Sequence, residues 1–379
     1  MTSTETVVPV QTRRERPTGV RRDDFAPLSK RELTWKFSPV DAIATLVESN
    51  LDGSRIEAAV SGASTAKVDL SWIDSTDQRV GLAGLPEDRA VAAAWESAEQ
   101  VLLVSVSGEQ SDEIVLSLSG FDRGASALHV LIDVAPQSHT TMSVHYGGSV
   151  LLCEAVEVLV GDGSSFTVTY CYEETTASTH VGAHFSRLGR DAQLTHALVV
   201  LSGGVVRVNP STHLASAGAS VEMLGLYTPG DNEHVEHHVY VNHDAPHTKS
   251  NVLYKGALRS TTSRAVWIGD VLIGAPATGT DSYEQNRNLI LTEGARADSV
   301  PNLEIETGDI VGAGHASATG RFDEEQLFYL ESRGIPESEA RMLVVRGFLN
   351  EVAQKLGSTK VAALVEETLD RQFSEGIPA

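Results

Sequence analysis

His315 stands in a run of small residues, GDIVGAGHASATG (Gly308–Gly320), so no bulky neighbour shields its ring. A neutral imidazole in that setting can bind a metal ion, and its small neighbours let a second chain approach. A loop histidine without a partner fits the composition equally well. A second group comprises His234, His237, His238, His243 and His247, all within EHVEHHVYVNHDAPHTKS (Glu233–Ser250). Clustered imidazoles invite a zinc or iron reading. On a strand, His237 and His243 share a face while His238 points the other way. Zinc motifs place two histidines on one helical face or in a fixed loop, and this spacing does neither. Histidines packed along strands account for it too. The carboxylate pairs Asp112–Glu113, Glu173–Glu174 and Glu304/Glu306 could do acid–base work, and solvated strand edges explain them as well. No nucleophile elbow, phosphate loop or dinucleotide fingerprint occurs. Cys153 and Cys171 are the only cysteines, too few for a self-contained zinc or iron–sulfur site.

The elements around His315 are sharply punctuated. Asp323 is placed to cap a helix whose first turn holds Glu324, Glu325 and Gln326. Gly334 ends that helix, and Pro336 suits the first turn of a second. Ala340, Leu343, Val344, Gly347, Phe348 and Val352 give this second helix an apolar face. Ser358 caps a third helix carrying Val361, Leu364, Val365 and Leu369. Residues 323–379 therefore read as a helical subdomain.

Upstream, from about Val101 to Val311, short Val-, Leu-, Ile-, Thr- and Ser-rich runs are cut by Gly, Asp and Asn. No helix of ordinary length interrupts them, so the segment is a sandwich, a barrel or a solenoid. Recurrent Gly–Gly and Gly–Asp steps favour the solenoid, and Cys153 and Cys171, 18 apart, could lie on neighbouring rungs. Further upstream Ser38 caps one helix whose first residue is Pro39, and Pro86–Gln100 is another. The chain thus divides into a disordered arm (1–24), an α/β cap region (25–100), a β core (101–322) and the helical end (323–379).

The arm carries Arg13, Arg14, Arg16, Arg21 and Arg22, yet 29 basic against 51 acidic residues leave a net charge of −22. That balance argues against a nucleic-acid binder. No apolar run is long enough to span a bilayer, and the N-terminus lacks a secretory core, so a cytoplasmic location is expected.

HASATGRFDEEQLFYLESRGI (His315–Ile335) resembles the signature of the SufB/SufD family of iron–sulfur cluster assembly proteins. HHVYVNHDAPHTKSNVLYKGAL (His237–Leu258), RAVWIGDVLI and QNRNLILTEGARADSVPNLEIETGDI (Gln285–Ile310) agree with it, as does TWKFS (Thr34–Ser38). The match is strong over roughly residues 200–350. Leu33 and Thr34 stand where the family often has acidic residues. Ala295 fills the cysteine position of SufB-like chains, and Ala316 follows the histidine where they have Glu, so the resemblance is to the SufD-like side.

This resemblance implies a right-handed parallel β-helix with helical segments at both ends. It implies a non-catalytic scaffold that pairs with SufB through the β-helix and docks the SufC ATPase through the helices bearing Asp323, Leu343 and Phe348. His315 is then an iron or cluster ligand at the SufB interface, although Ala313 replaces the cysteine many relatives carry two residues before it. The cluster is assembled transiently with SufB, and no cofactor is expected in the isolated chain. Reduced flavin in the complex, and a homodimer when SufB is absent, stay open. The competing reading is a β-helix or histidine-metal hydrolase, an analogy from fold alone.

Overall fold

The computed structural model describes Arg13 and residues 16–121, 124–146 and 148–374. In chain order its first strands are β1 (Glu57–Ser61), β2 (Lys67–Ile73), β3 (Val101–Ser107), β4 (Ile114–Ser119), β5 (Ala125–Val134) and β6 (His139–Tyr146). Next come β7 (Leu151–Val160), β8 (Ser165–Glu173), β9 (Thr179–Leu188), β10 (Gln193–Ser202), β11 (Val205–Leu214) and β12 (Ser220–Tyr227). The last are β13 (His234–His243), β14 (Lys249–Leu258), β15 (Arg264–Ile273), β16 (Thr280–Ile290), β17 (Arg296–Ile305) and β18 (Ile310–Arg321). From β3 onward the odd strands, joined by β2, form one nine-stranded sheet; the even strands, joined by β1, form the other. Pairing is parallel except at β1–β4 and β2–β3. The core is therefore a β-solenoid, with two sheets facing each other across a shared interior.

Ala125, Leu151, Thr179, Val205, His234, Arg264 and Arg296 are successive register partners, so one turn takes 26 to 32 residues. The spacing of 18 between the cysteines is not a rung. Cys153 lies on β7 and Cys171 on β8, in opposite sheets, each buried in an outer-face cluster. One turn position recurs in left-handed conformation at Gln137, Gly163, Asp191, Gly218, His247 and Gly279. A small buried residue follows each: Ser138, Ser164, Ala192, Ala219, Thr248 and Thr280. Two of these are alanines, while Thr248 and Thr280 join their turns through hydroxyls 3.2 Å apart. A single turn buries too little apolar surface to stand alone, so stacking supplies the stability.

Both outer faces are covered. α1 (Val40–Val47) and α2 (Arg89–Ser97) lie on the first sheet, where the alanines of α2 permit close approach. Asp88 caps α2, accepting from the N–H groups of Ala90 and Val91. Ser38 does not cap α1 as the sequence suggested. Pro39 takes that place, and the Ser38 hydroxyl donates to Glu236 at 2.7 Å. The reason is Arg207, fully buried on β11. Its guanidinium bonds Asp88 at 2.9 Å and Glu236 at 3.2 Å, and it stacks 4.0 Å from the Trp35 ring centre. One cation thus ties α2, the Trp35 turn and the sheet together.

The described part of the arm also departs from the disorder expected of residues 1–24. Arg13 bonds Glu87 and Asp270 and lies over Tyr240, and Arg22 donates to the carbonyls of Val47 and Ser49. Half-buried carboxylates and backbone carbonyls of the body give these arginines partners that composition does not reveal. Residues 1–12, 14 and 15 lie outside the described residues.

At the other end, α3 (Glu324–Ser332), α4 (Glu337–Ala353) and α5 (Thr359–Ser374) pack on the second sheet. Asp323 accepts from the Glu325 N–H, Gly334 is left-handed, and Ser358 accepts from the Val361 N–H, as the sequence predicts. Pro336 sits one residue earlier than expected, at the N-cap of α4. The buried face of α4 is Ala340, Val345, Leu349 and Val352. Leu343 is exposed instead, because α4 is apolar on more than one side and its pattern does not single out the core face.

Replacing Arg207 by Met should cost about 3–5 kcal/mol, since it strands Asp88 and Glu236 in a dry site. Urea unfolding measures the loss, and hydrogen exchange should show protection falling around residues 33–47 and 89–97 first. Unchanged protection there would mean that another contact holds the cap.

Candidate functional site

The two sheets end at β17 and β18, whose outer edges pair with no described strand. β18 is a long strand with no charged side chain from Ile310 to Gly320 apart from His315. Ile305, Val311 and Tyr283 are exposed apolar residues at this end. The opposite end is blunted by charge, with Glu57 on β1 and a Lys67–Asp69 ion pair on β2. The solenoid is thus finished at its start and open at its finish.

His315 lies on this last rung, in register with Glu284 on β16. Its side chain is 46 % exposed and that of Glu284 only 1 %, with His315 Nδ1 3.8 Å from Glu284 Oε1. Neither oxygen of Glu284 has a hydrogen-bond partner in the structure. Burial, with a smaller push from Asp270, raises its carboxyl to about 8. Across the interior, Gly269 leaves the space this carboxylate fills, since a Cβ there would come within 2.4 Å of Glu284 Oε2 and 2.3 Å of the Trp267 ring. Sequence reasoning isolated His315 and missed Glu284, which reads as an ordinary acid in a polar strand. An open cleft of about 1240 Å³ runs from the Trp35 segment past Asp270 to Pro301 and His315.

The histidines from His234 to His247 do not converge. His234 and His238 face outward and both bond Glu236 at 2.8 Å. Burial alone would raise the Glu236 carboxyl, but these histidines and Arg207 hold it well below the usual range. His237 and His243 face the interior, as their even spacing predicts. His237 contacts the Val208 carbonyl, and His243 contacts the hydroxyls of Thr248 and Ser250. Burial lowers them to about 4 and about 3. His247 is a turn residue. Among the described residues, no three or more His, Cys, Asp or Glu side chains are grouped to hold a metal ion. One carboxylate pair is likewise separated: Glu174 bonds His180 inside, while Glu173 bonds Arg371 and Thr368 outside.

Deeper in the interior lies a closed polar cluster. His180 sits between Glu174, at 2.8 Å, and Glu154, at 3.1 Å. Glu154 also accepts from the Tyr146 hydroxyl and faces His184, which contacts His196. Burial would lower His180, but the two carboxylates outweigh it and hold it at about 10. Burial would raise Glu154, and its histidine partners instead keep it at about 2. Every member of this charged core is buried, so it offers no ligand access.

Of the residues assigned to docking, Asp323 caps α3 and helps line a hollow of about 380 Å³ with Glu325, Tyr329, Leu330 and Val344. Leu343 is 41 % exposed, whereas Phe348 is half-buried with Lys255 over its ring. Phe328 and Tyr329 are more exposed still. No described helix is long and apolar enough to cross a membrane.

Residues 117–348 match the family model described as SUF system FeS cluster assembly, SufBD core domain. An iron–sulfur cluster assembly SufBD family protein of Mycobacterium tuberculosis is 41% identical, over 93% of this chain and 90% of its own. The iron–sulfur cluster assembly protein SufD of Bacillus subtilis is 31% identical over 64% of this chain and 57% of its own. SufD of Escherichia coli is 32% identical over 48% and 43%. The family model begins in β4, well before the stretch where the sequence motifs are densest.

The His180 cluster sets a pH dependence. Because His180 is raised from 6.5 to about 10, its contribution is complete below pH 6.5 and fades as pH climbs toward 10. Glu154, lowered from 4.5 to about 2, keeps its contribution above pH 4.5 and loses it as pH falls toward 2. His180→Gln should therefore lower stability by about 3–5 kcal/mol near pH 6 and much less near pH 10. Thermal melts of both proteins across this range test it, and equal losses at both ends would exclude the charged histidine as the cause.

Proposed function

This chain belongs to the SufBD family of iron–sulfur cluster assembly proteins, and from that premise we propose that it is the non-catalytic, SufD-like scaffold subunit of an assembly complex. Similarity to proteins named SufD supports the SufD-like side, as do Ala295 and Ala316. The observation that carries the reading is the uncovered last rung. A long, nearly uncharged edge strand whose outer side pairs with no described strand is an aggregation hazard unless a partner strand covers it. The occupant is the β-helix of a SufB-like chain, and β18 is the edge it meets. When that partner is absent, two copies of β18 can pair with each other.

The SufC-like ATPase docks on the outer side of α3 and α4. Phe328, Tyr329 and Leu343 supply apolar contact area there, beside the hollow next to Asp323. His315 faces the SufB-like side and ligates iron or the nascent cluster, which is cargo of the complex. Ala313 gives it no neighbouring thiolate, so sulfur comes from the partner. Any reduced flavin belongs to the assembled complex. The complex works in the cytoplasm, without nucleic acid or membrane.

Co-expression with SufB- and SufC-like chains should yield a stable ternary complex under reducing conditions. Leu343→Asp should weaken retention of the ATPase by about 1–2 kcal/mol or more while leaving this chain folded. The same change at half-buried Phe348 should lower the melting temperature as well. His315→Ala should leave the complex intact and lower cluster yield, read by the visible absorbance of the assembled cluster. Failure to co-purify would sink the scaffold reading, and full cluster yield from His315→Ala would make that histidine a bystander.

A further inference from the structure

Among the described residues, Glu284 and the half-buried Glu113 are the acids with both oxygens buried and unbonded, and Glu284 is the one that is buried as a whole. Glu154, Glu157, Glu174, Glu233, Glu236 and Asp88 all have partners. A buried acid without a hydrogen bond is costly, and such a group in a native fold calls for a reason. Packing does not supply one. The carboxylate occupies space left by a glycine, against the Trp267 ring, where an apolar side chain of the same length would fit at lower cost.

The neighbour that gives it a reason is His315. Two ligands bound at about 2.0–2.2 Å to one metal stand about 3.0 Å apart at the octahedral angle iron(II) takes and about 3.4 Å apart at a tetrahedral one. His315 Nδ1 and Glu284 Oε1 are 3.8 Å apart, so a side-chain shift of less than about 1 Å brings both onto one ion. His315 is half-exposed at the open end, which lets the ion enter, while Glu284 sits one rung below it, where a cation would be drawn inward. An imidazole nitrogen with a carboxylate oxygen suits iron(II) better than a sulfur-rich cluster edge.

We infer that Glu284 and His315 form a two-ligand half-site for iron(II), loaded before sulfur arrives and completed by groups of the chain that covers the open end. Glu284 supplies the hard oxygen and His315 the imidazole. This rests on the reading of His315 as an iron ligand and adds Glu284 as the residue that selects bare iron(II) as the form delivered.

The test is anaerobic equilibrium binding of iron(II) alone to the purified ternary complex, without any sulfur donor. Glu284→Gln and His315→Ala should each weaken binding at least about tenfold, with the complex unchanged on gel filtration. Glu284→Met has matching length and no polar atom to bury, and it carries the test should the glutamine amide disturb folding. If His315→Ala loses iron while both Glu284 variants bind as the wild type does, the half-site is overturned and the role of His315 survives. If neither position matters, the iron-ligand reading of His315 falls with it.

Discussion

A parallel solenoid cannot terminate its own hydrogen bonding. Each strand leaves a row of N–H and C=O groups for the next turn, and the last turn leaves them for nothing. The rest of the architecture answers that constraint. At the start, antiparallel β1 and β2 change the pairing mode and present Glu57, Lys67 and Asp69. On the flanks, α2 and the C-terminal helices cover the two outer faces. At β17 and β18 nothing among the described residues answers it. This is also where the interior becomes reachable, so the chemistry-bearing side chains and the unsatisfied backbone edge share one surface.

The interior is costly ground for polar groups, and this chain fills it with them by pairing. His180 is held between two carboxylates, and Tyr146 and His184 complete the shell of Glu154. On the outer face, Arg207 does the same for Asp88 and Glu236. Replacing such groups with apolar residues is often neutral for stability. Their effect here is positional: each joins segments far apart in sequence and fixes their register. Arg207 and Trp35 align the N-terminal cap, and the hydroxyl ladder from Thr248 to Thr280 aligns successive turns.

Local signals were legible in the sequence, and repeated ones were not. Asp323, Gly334 and Ser358 each act within one helical turn, so their residue types suffice. The solenoid repeat is conserved in geometry instead. Six different places in the chain adopt one left-handed turn conformation, filled by Gln, Asp and His as well as Gly, at intervals that vary from turn to turn. What recurs is a dihedral sign followed by a small buried side chain, and neither shows as a residue motif. Strand parity separated His237 and His243 from His238, but nothing local said which face was inner. The apolar stripe of α4 misled because the helix is apolar on two sides, one against the sheet and one outward. Glu284 escaped because its partner His315 lies on the next rung, outside the range of any local pattern.

Covering the open end does two things at once. A strand laid against β18 satisfies its backbone groups, and the same strand removes water from the mouth above Glu284 and His315. Fewer waters mean a lower local dielectric, which strengthens the pull of a carboxylate on a cation. It also makes a bare buried carboxylate less tolerable, so under the proposed iron half-site ion and partner would favour each other's binding. The small residues on either side of His315, Ala313, Gly314 and Ala316, leave the approach to its ring open. A thiol at position 313 would have let this chain hold a metal more nearly alone. With Ala there, the proposed half-site has two ligands, too few for tight binding by themselves, so on that proposal retention of the ion depends on the partner that would also complete the sheet.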